Sequence, residues 1–184
     1  HNLIYEKINS VIYGHQSIKS AIDIACYDLA SKSKKLPLYN YLGGKINKKI
    51  YTDYTVSLND VDIMVEQAEQ IVKKGFKIIK VKLGDNGKKD IERIKHIRKC
   101  IGDDKQIRID ANQGWNIEEA IDTLKNIDKY NIEYCEEPIN RDLSFRLNEV
   151  KESSPVKIMA DESLFTSYDA QMMVHGNHCD MFNL

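Results

Sequence analysis

Three acidic residues and two lysines stand where a strand buried on both faces should be apolar. In Ile78-Ile79-Lys80-Val81-Lys82-Leu83, period two places Lys80 and Lys82 on one face and Ile79, Val81 and Leu83 on the other. The apolar face must meet helices, so the lysines point inward. By the same count Ile107, Ile109 and Ala111 face helices, while Arg108, Asp110 and Asn112 point inward. Ile158 and Ala160 face out and Asp161 in, and Thr55 lies at the matching level of the first strand. Asp110, Glu136 and Asp161 thus converge on one rim. Three carboxylates without a cation repel one another, and each buried charge costs several kcal/mol. A hard divalent metal accounts for them better than an internal salt-bridge network. All-oxygen donors favour Mg2+, Mn2+ or Ca2+ over Zn2+, and room for substrate oxygens and water suits Mg2+. A lysine acts as a base only when neutral, and burial, a like-charged neighbour and a dication all lower its pKa. Such a lysine facing a bound cation suits removal of a proton α to a carboxylate or carbonyl, with the metal stabilising the enediolate.

The elements that must position these groups alternate. Apolar runs of β character cover Tyr51–Leu58, Phe76–Leu83, Gln106–Ala111, Ile132–Cys135, Val156–Ala160 and Cys179–Leu184. Helical spacing covers Asn59–Lys74, Asp90–Ile101 and Asn116–Asp128, with weaker signals over Arg141–Lys151 and Ser167–Val174. Asn116 with Glu119 forms a capping-box-like start, and the charged stretch Asn86–Lys89 is expected to be a solvated loop. Polar strand ends recur about every 25 to 28 residues, from Thr55 through Lys82, Asp110 and Glu136 to Asp161. This predicts an α/β fold: the first five to six units of a (β/α)8 TIM-type barrel, whose units average roughly 31 residues. An open doubly wound sheet is the alternative, weakened because no G-x-G-x-x-G follows a strand. Ahead of the strands, Ser17–Lys32 is an amphipathic helix leading through Leu36-Pro37-Leu38 to Leu42-Gly43-Gly44. Residues 1–45 are read as the end of a preceding α+β domain with its closing helix, and residues 46–184 as the partial barrel.

Composition excludes other classes. A net charge of −1 over 184 residues offers no broad basic footprint for nucleic acid. No run of about 18 apolar residues exists to span a membrane. The first residues are not a signal peptide, and the missing initiator Met is read as the mark of a chain cut from a longer one. Cys26, Cys100, Cys135 and Cys179 are scattered and read as reduced thiols, which points to the cytoplasm. His175 and His178 lack the partners of a metal cluster.

The motifs Lys80-Val81-Lys82, Asp110-Ala111-Asn112-Gln113-Gly114-Trp115, Glu136-Glu137-Pro138 and Ala160-Asp161-Glu162-Ser163 resemble the enolase superfamily, muconate-lactonizing-enzyme subgroup. So do Ala21-Ile22-Asp23-Ile24-Ala25-Cys26-Tyr27-Asp28-Leu29 and Leu42-Gly43-Gly44, and Thr52-Asp53-Tyr54-Thr55-Val56-Ser57 is most like the dipeptide epimerases of the L-Ala-D/L-Glu type. A lysine base with Mg2+ is itself the known arrangement of that superfamily, so chemistry and resemblance are not independent. The resemblance implies one Mg2+ on Asp110, Glu136 and Asp161. It makes Lys82 one of two acid/base catalysts, and Lys80 its electrostatic neighbour and a contact to the substrate carboxylate. Thr55 is implied as a substrate contact. Asn112, which is also placed among the substrate contacts, and Glu137 and Glu162 are implied as partners that orient the ligands. Trp115 is read as packing its loop.

Two departures follow. The family's second lysine, usually written Asn-x-Lys on the sixth strand, is expected just after Phe182-Asn183-Leu184, with Asn183 pointing inward beside the ligands. Of the N-terminal capping domain, only the last helix is expected here. The resemblance implies epimerisation of a dipeptide such as L-Ala-D/L-Glu by a longer parent, a homo-oligomer acting on a small molecule. The alternatives are o-succinylbenzoate synthesis, N-acylamino acid racemisation or muconate cycloisomerisation, or a non-catalytic truncated frame. The 184-residue chain alone is expected to be inactive.

Overall fold

The computed structural model describes residues 2–45 and 49–184. It divides into two compact units, one running to Tyr51 and the other Thr52–Leu184. The boundary expected after residue 45 runs into residues 46–48, which lie outside the described residues. The first unit holds helices α1 (Asn2–Val11), α2 (Gln16–Ser33) and α3 (Leu38–Tyr41). α2 is helical as expected, but its apolar face is not buried: Ile18, Ile22 and Leu29 are exposed, while Lys19 and Ser31 are the buried residues; α1 and α3 are additional helices. The chain turns into α2 through Gly14 and His15, both at positive φ. Beyond it, Lys34 lies 5.3 Å from the centre of the Tyr41 ring.

The second unit alternates strands and helices: β1 (Tyr54–Val56), α4 (Val61–Lys73), β2 (Ile78–Lys82), α5 (Gly87–Ile101), β3 (Gln106–Asp110), α6 (Ile117–Ile127), β4 (Ile132–Glu136), α7 (Leu147–Ser153), β5 (Ile158–Ala160), α8 (Ser167–His175) and β6 (Met181–Phe182). The six strands pair in parallel in chain order, β1 to β6. That order is the one a (β/α) barrel requires. A doubly wound sheet would reverse direction partway, so the alternative falls. The expected strand parity is present. Ile79, Val81, Ile107 and Ile109 are fully buried against a helical layer in which α4 packs on α5, α5 on α6 and α6 on α7.

Three local expectations are corrected. Asn86–Lys89 is not a solvated loop. Asn86 accepts a hydrogen bond from the Lys89 N–H, so α5 starts at Gly87, which is buried because a side chain there would strike Thr123 and Glu119. Asn116 caps α6 by accepting from the Glu119 N–H, but Glu119 does not complete a box; its carboxylate accepts the Gly87 N–H at 2.7 Å instead. The strands are also shorter than their apolar runs, since only positions with a neighbour in register enter the ladder. The first covers Tyr54–Val56 rather than Tyr51–Leu58, and the last Met181–Phe182 rather than Cys179–Leu184.

Candidate active site

The carboxyl ends of β2, β3 and β4 bring Lys80, Lys82, Asp110 and Glu136 together. Register sets Lys82 beside Asp110, and Asp110 beside Glu136. Asp110 and Glu136 are almost wholly buried. The Lys80 ammonium bridges them, 3.0 Å from Asp110 Oδ2 and 2.7 Å from Glu136 Oε2. Lys82 Nζ lies 2.6 Å from the same Asp110 oxygen. The two lysines differ in access: the Lys82 side chain is 36% exposed and Lys80 17%. Thr55 pairs in register with Lys80 and is exposed.

The electrostatics depart from expectation at Lys80. Burial pulls its ammonium down, but hydrogen bonds and attraction from Glu136 and Asp110 outweigh it and hold the group well above the usual lysine range. A depressed lysine is therefore not what this pairing produces at Lys80. Burial pushes the Glu136 carboxyl up against the pull of Lys80, and the neighbouring charges of Asp110 and Asp161 push the same way.

Asn112, Glu137, Glu162 and Asn183 each hydrogen-bond a neighbouring loop or one of the clustered carboxylates. The Asn112 N–H donates to Asp110 Oδ1 at 2.9 Å, and its side-chain amide donates to Glu162 Oε1 at 2.6 Å. Glu137 is fully buried and accepts the N–H of Asp161 at 2.7 Å, the N–H of Ser163 at 3.1 Å and the Ser163 hydroxyl. Asn183 donates to Glu136 Oε1 at 3.1 Å, as inward parity requires. Asn112, Gln113 and Glu137 take positive φ directly after the two strand ends, a costly backbone for non-glycine residues of the kind found at functional sites. Trp115 is 2% exposed and packs its loop.

Among the described residues, no three His, Cys, Asp or Glu side chains stand ready-made around one point. The expected three-carboxylate cage is not preformed, because the ammonium groups of Lys80 and Lys82 take the Asp110 and Glu136 oxygens. The donor set nevertheless suits a hard cation. Asp110, Glu136 and Asp161 offer only oxygen, their mutual charge pushes Glu136 up, and Glu162 Oε2 is buried without a hydrogen-bond partner.

A second inward network was not foreseen. Arg108 binds Glu133 at 2.6 Å and Asp53 at 3.0 Å, and its guanidinium sits 5.3 Å from the centre of the Tyr134 ring. Glu133 and Tyr134 reach the same face because the β3–β4 register shifts between Ile107 and Ile109, setting two residues of β4 opposite one. Inward parity already marked Arg108; only the bulge was invisible.

The family model described as Enolase C-terminal domain-like matches residues 63–184. A D-Ala-D/L-Ala epimerase of Cytophaga hutchinsonii is 49% identical over 177 residues, covering 96% of this chain and 48% of its own length. An L-Ala-D/L-Glu epimerase of Clostridium acetobutylicum is 41% identical over 180 residues, covering 97% and 50%. Among solved structures, a dipeptide epimerase from Cytophaga hutchinsonii complexed with Mg and D-Ala-L-Val superposes with a TM-score of 0.95 at 48% identity, covering 98% of this chain and 49% of that one. The chain spans about half the length of the curated relatives it matches.

Proposed function

The chain belongs to the Enolase C-terminal domain-like family, and from that membership we propose that it forms part of a dipeptide epimerase that removes and returns the proton α to a carboxylate. The observation that carries this reading is the convergence of Lys80 and Lys82 on Asp110 at the strand ends, with Glu136 in register beside it. Asp110, Glu136 and Asp161 would hold Mg2+, with Mn2+ a workable substitute. Bound there, the cation supplies positive charge against the negative charge that develops on the substrate carboxylate.

The remaining work falls to the chain's own residues. Lys82, the more open lysine with one carboxylate partner, takes the α-proton on its face of the substrate. Lys80, held between two carboxylates, stays charged and meets the substrate carboxylate. Thr55, exposed beside Lys80, contacts the substrate. Glu137 fixes Asp161 through its backbone N–H, Asn112 ties the loop after β3 to Glu162, and Asn183 holds Glu136. Inversion needs a second proton carrier opposite Lys82, since one base on one face returns its own proton to the same side. In the parent protein that group is the lysine expected after Leu184.

The substrate is a dipeptide, for which the Ala-Ala and Ala-Glu activities named for the two relatives set the first panel. We read the parent as a cytoplasmic homo-oligomer, a reading supported by the scatter of its four cysteines along the sequence. The test incubates the full-length protein with D-Ala-L-Ala and L-Ala-L-Glu in D2O with Mg2+, followed by proton NMR and chiral analysis. Exchange and inversion at the α-carbon of the C-terminal residue, abolished by EDTA, are expected. No exchange at the α-carbon of the C-terminal residue of either dipeptide would overturn the reading.

A further inference from the structure

We propose that Asp90 is a positioning residue for this site: one buried carboxylate that fixes the spacing between the lysine-bearing strand β2 and the acidic strand β3. The inference rests on the epimerase reading above and deepens it.

Asp90 lies in the first turn of α5 and is 0% exposed. Its Oδ2 accepts two hydrogen bonds, from the Gly84 N–H at 3.0 Å and from Trp115 Nε1 at 2.9 Å. Gly84 opens the loop that leaves β2 just past Lys82, and Trp115 sits in the loop that leaves β3 past Asp110 and Asn112. A single oxygen atom therefore joins the two loops. There is no slack around it. A Cβ on Gly84 would lie 2.0 Å from the Ala111 carbonyl oxygen, and one on Gly114 2.1 Å from the Gly84 oxygen, so backbone meets backbone directly. The other oxygen, Oδ1, accepts from Arg93 at 2.7 Å, and Arg93 Nε donates to the Asn59 carbonyl in the loop after β1 at 3.1 Å. The Trp115 backbone N–H donates to the Pro138 carbonyl after β4 at 3.2 Å. Four consecutive loops on the rim that carries the chemistry are thus tied through Asp90, Arg93 and Trp115.

Stability alone does not explain such a carboxylate, because a buried ion pair is often no better than apolar packing of the same volume. Asp90 supplies three directed acceptor contacts that packing cannot. Every group facing it is an N–H donor, so an amide in its place would turn an NH2 against one of them whichever way it lay. The consequence falls on proton transfer: a shift of about 1 Å between base and reacting carbon can cost roughly a hundredfold in rate.

The experiment uses the full-length protein and two variants, Asp90→Asn and Trp115→Phe; the second keeps the ring packing and removes one N–H. The readouts are kcat and KM for α-proton exchange of a dipeptide, Mn2+ affinity by electron paramagnetic resonance, and melting temperature. Trp115→Phe is expected to lower kcat at least fivefold while folded, with KM and Mn2+ affinity within twofold of wild type. Asp90→Asn is expected to lower kcat at least tenfold, and Trp115→Phe decides the matter if Asp90→Asn does not fold. A Trp115→Phe protein with a lower melting temperature and wild-type kcat would reduce the clamp to scaffold and overturn the proposal. Mn2+ affinity that falls in parallel with kcat would overturn it too, because the carboxylates rather than the lysine spacing would then have moved. Wild-type protein that binds Mn2+ yet exchanges no dipeptide proton would sink the epimerase reading, and this inference with it.

Discussion

Replacing Glu137 with Ala tests how the acidic rim is held. The Glu137 carboxylate is fully buried and is the acceptor for two backbone N–H groups, those of Asp161 and Ser163, and for the Ser163 hydroxyl. The hydroxyl can rotate to another partner; the two N–H groups cannot. A buried donor left without its acceptor costs about 1–3 kcal/mol, so the two together cost about 2–6 kcal/mol. Part of this is offset, since burial already pushes the Glu137 carboxyl above the usual range and its removal relieves that penalty. A net loss of about 2–4 kcal/mol is expected, a large share of the roughly 5–15 kcal/mol that holds a typical domain folded. Urea unfolding of the full-length variant and wild type, compared at equal slope, measures it. Stability within about 0.5 kcal/mol of wild type would refute the reasoning, because Glu137 would then not be the anchor of the Asp161 loop.

Other outcomes follow from the same geometry. Asp161→Ala is expected to weaken Mn2+ binding at least tenfold by titration calorimetry, since Asp161 is one of the three carboxylates proposed to hold the cation. Arg108→Met leaves Asp53 and Glu133 facing each other without a cation, and should cost about 1–3 kcal/mol in thermal unfolding, discounted because the pair is partly exposed. Alkylation followed by mass spectrometry should mark exposed Cys100 first and buried Cys135 last. Burial raises the Cys135 thiol well above its ordinary pKa, so its thiolate fraction stays small at neutral pH and grows only as pH rises toward that raised value.

Strand parity was the most legible feature of the sequence. Charges at Lys80, Lys82 and Asp110 inside apolar runs leave one orientation, because the other would bury ammonium and carboxylate groups against helices. The positions of Asp161 and Asn183 followed from the same count. What could not be read depends on distances between chain segments. The β4 bulge that turns both Glu133 and Tyr134 toward Arg108 leaves no trace in a period-two pattern. Asn86–Lys89 is polar as a loop would be, yet it starts a helix because Asn86 caps it and Gly87 fits under Glu119. In the sequence Asp90 is only the first residue of the expected helix Asp90–Ile101; that Gly84 and Trp115 meet on one of its oxygens depends on the fold. The pairing of Lys80 with two carboxylates, which outweighs the lowering effect of burial, likewise needed the distances between strands.

Lys82 is proposed to move the proton on one face of a substrate held at Asp110, Glu136 and Asp161. The most direct test of that role is α-proton exchange in D2O by full-length Lys82→Ala with Mg2+, starting separately from each epimer of one dipeptide. No inversion is expected from either epimer, and exchange is expected to be retained from only one of them, the one whose proton faces the opposite base. Inversion at a rate near wild type, or exchange lost or retained equally for both epimers, would contradict it.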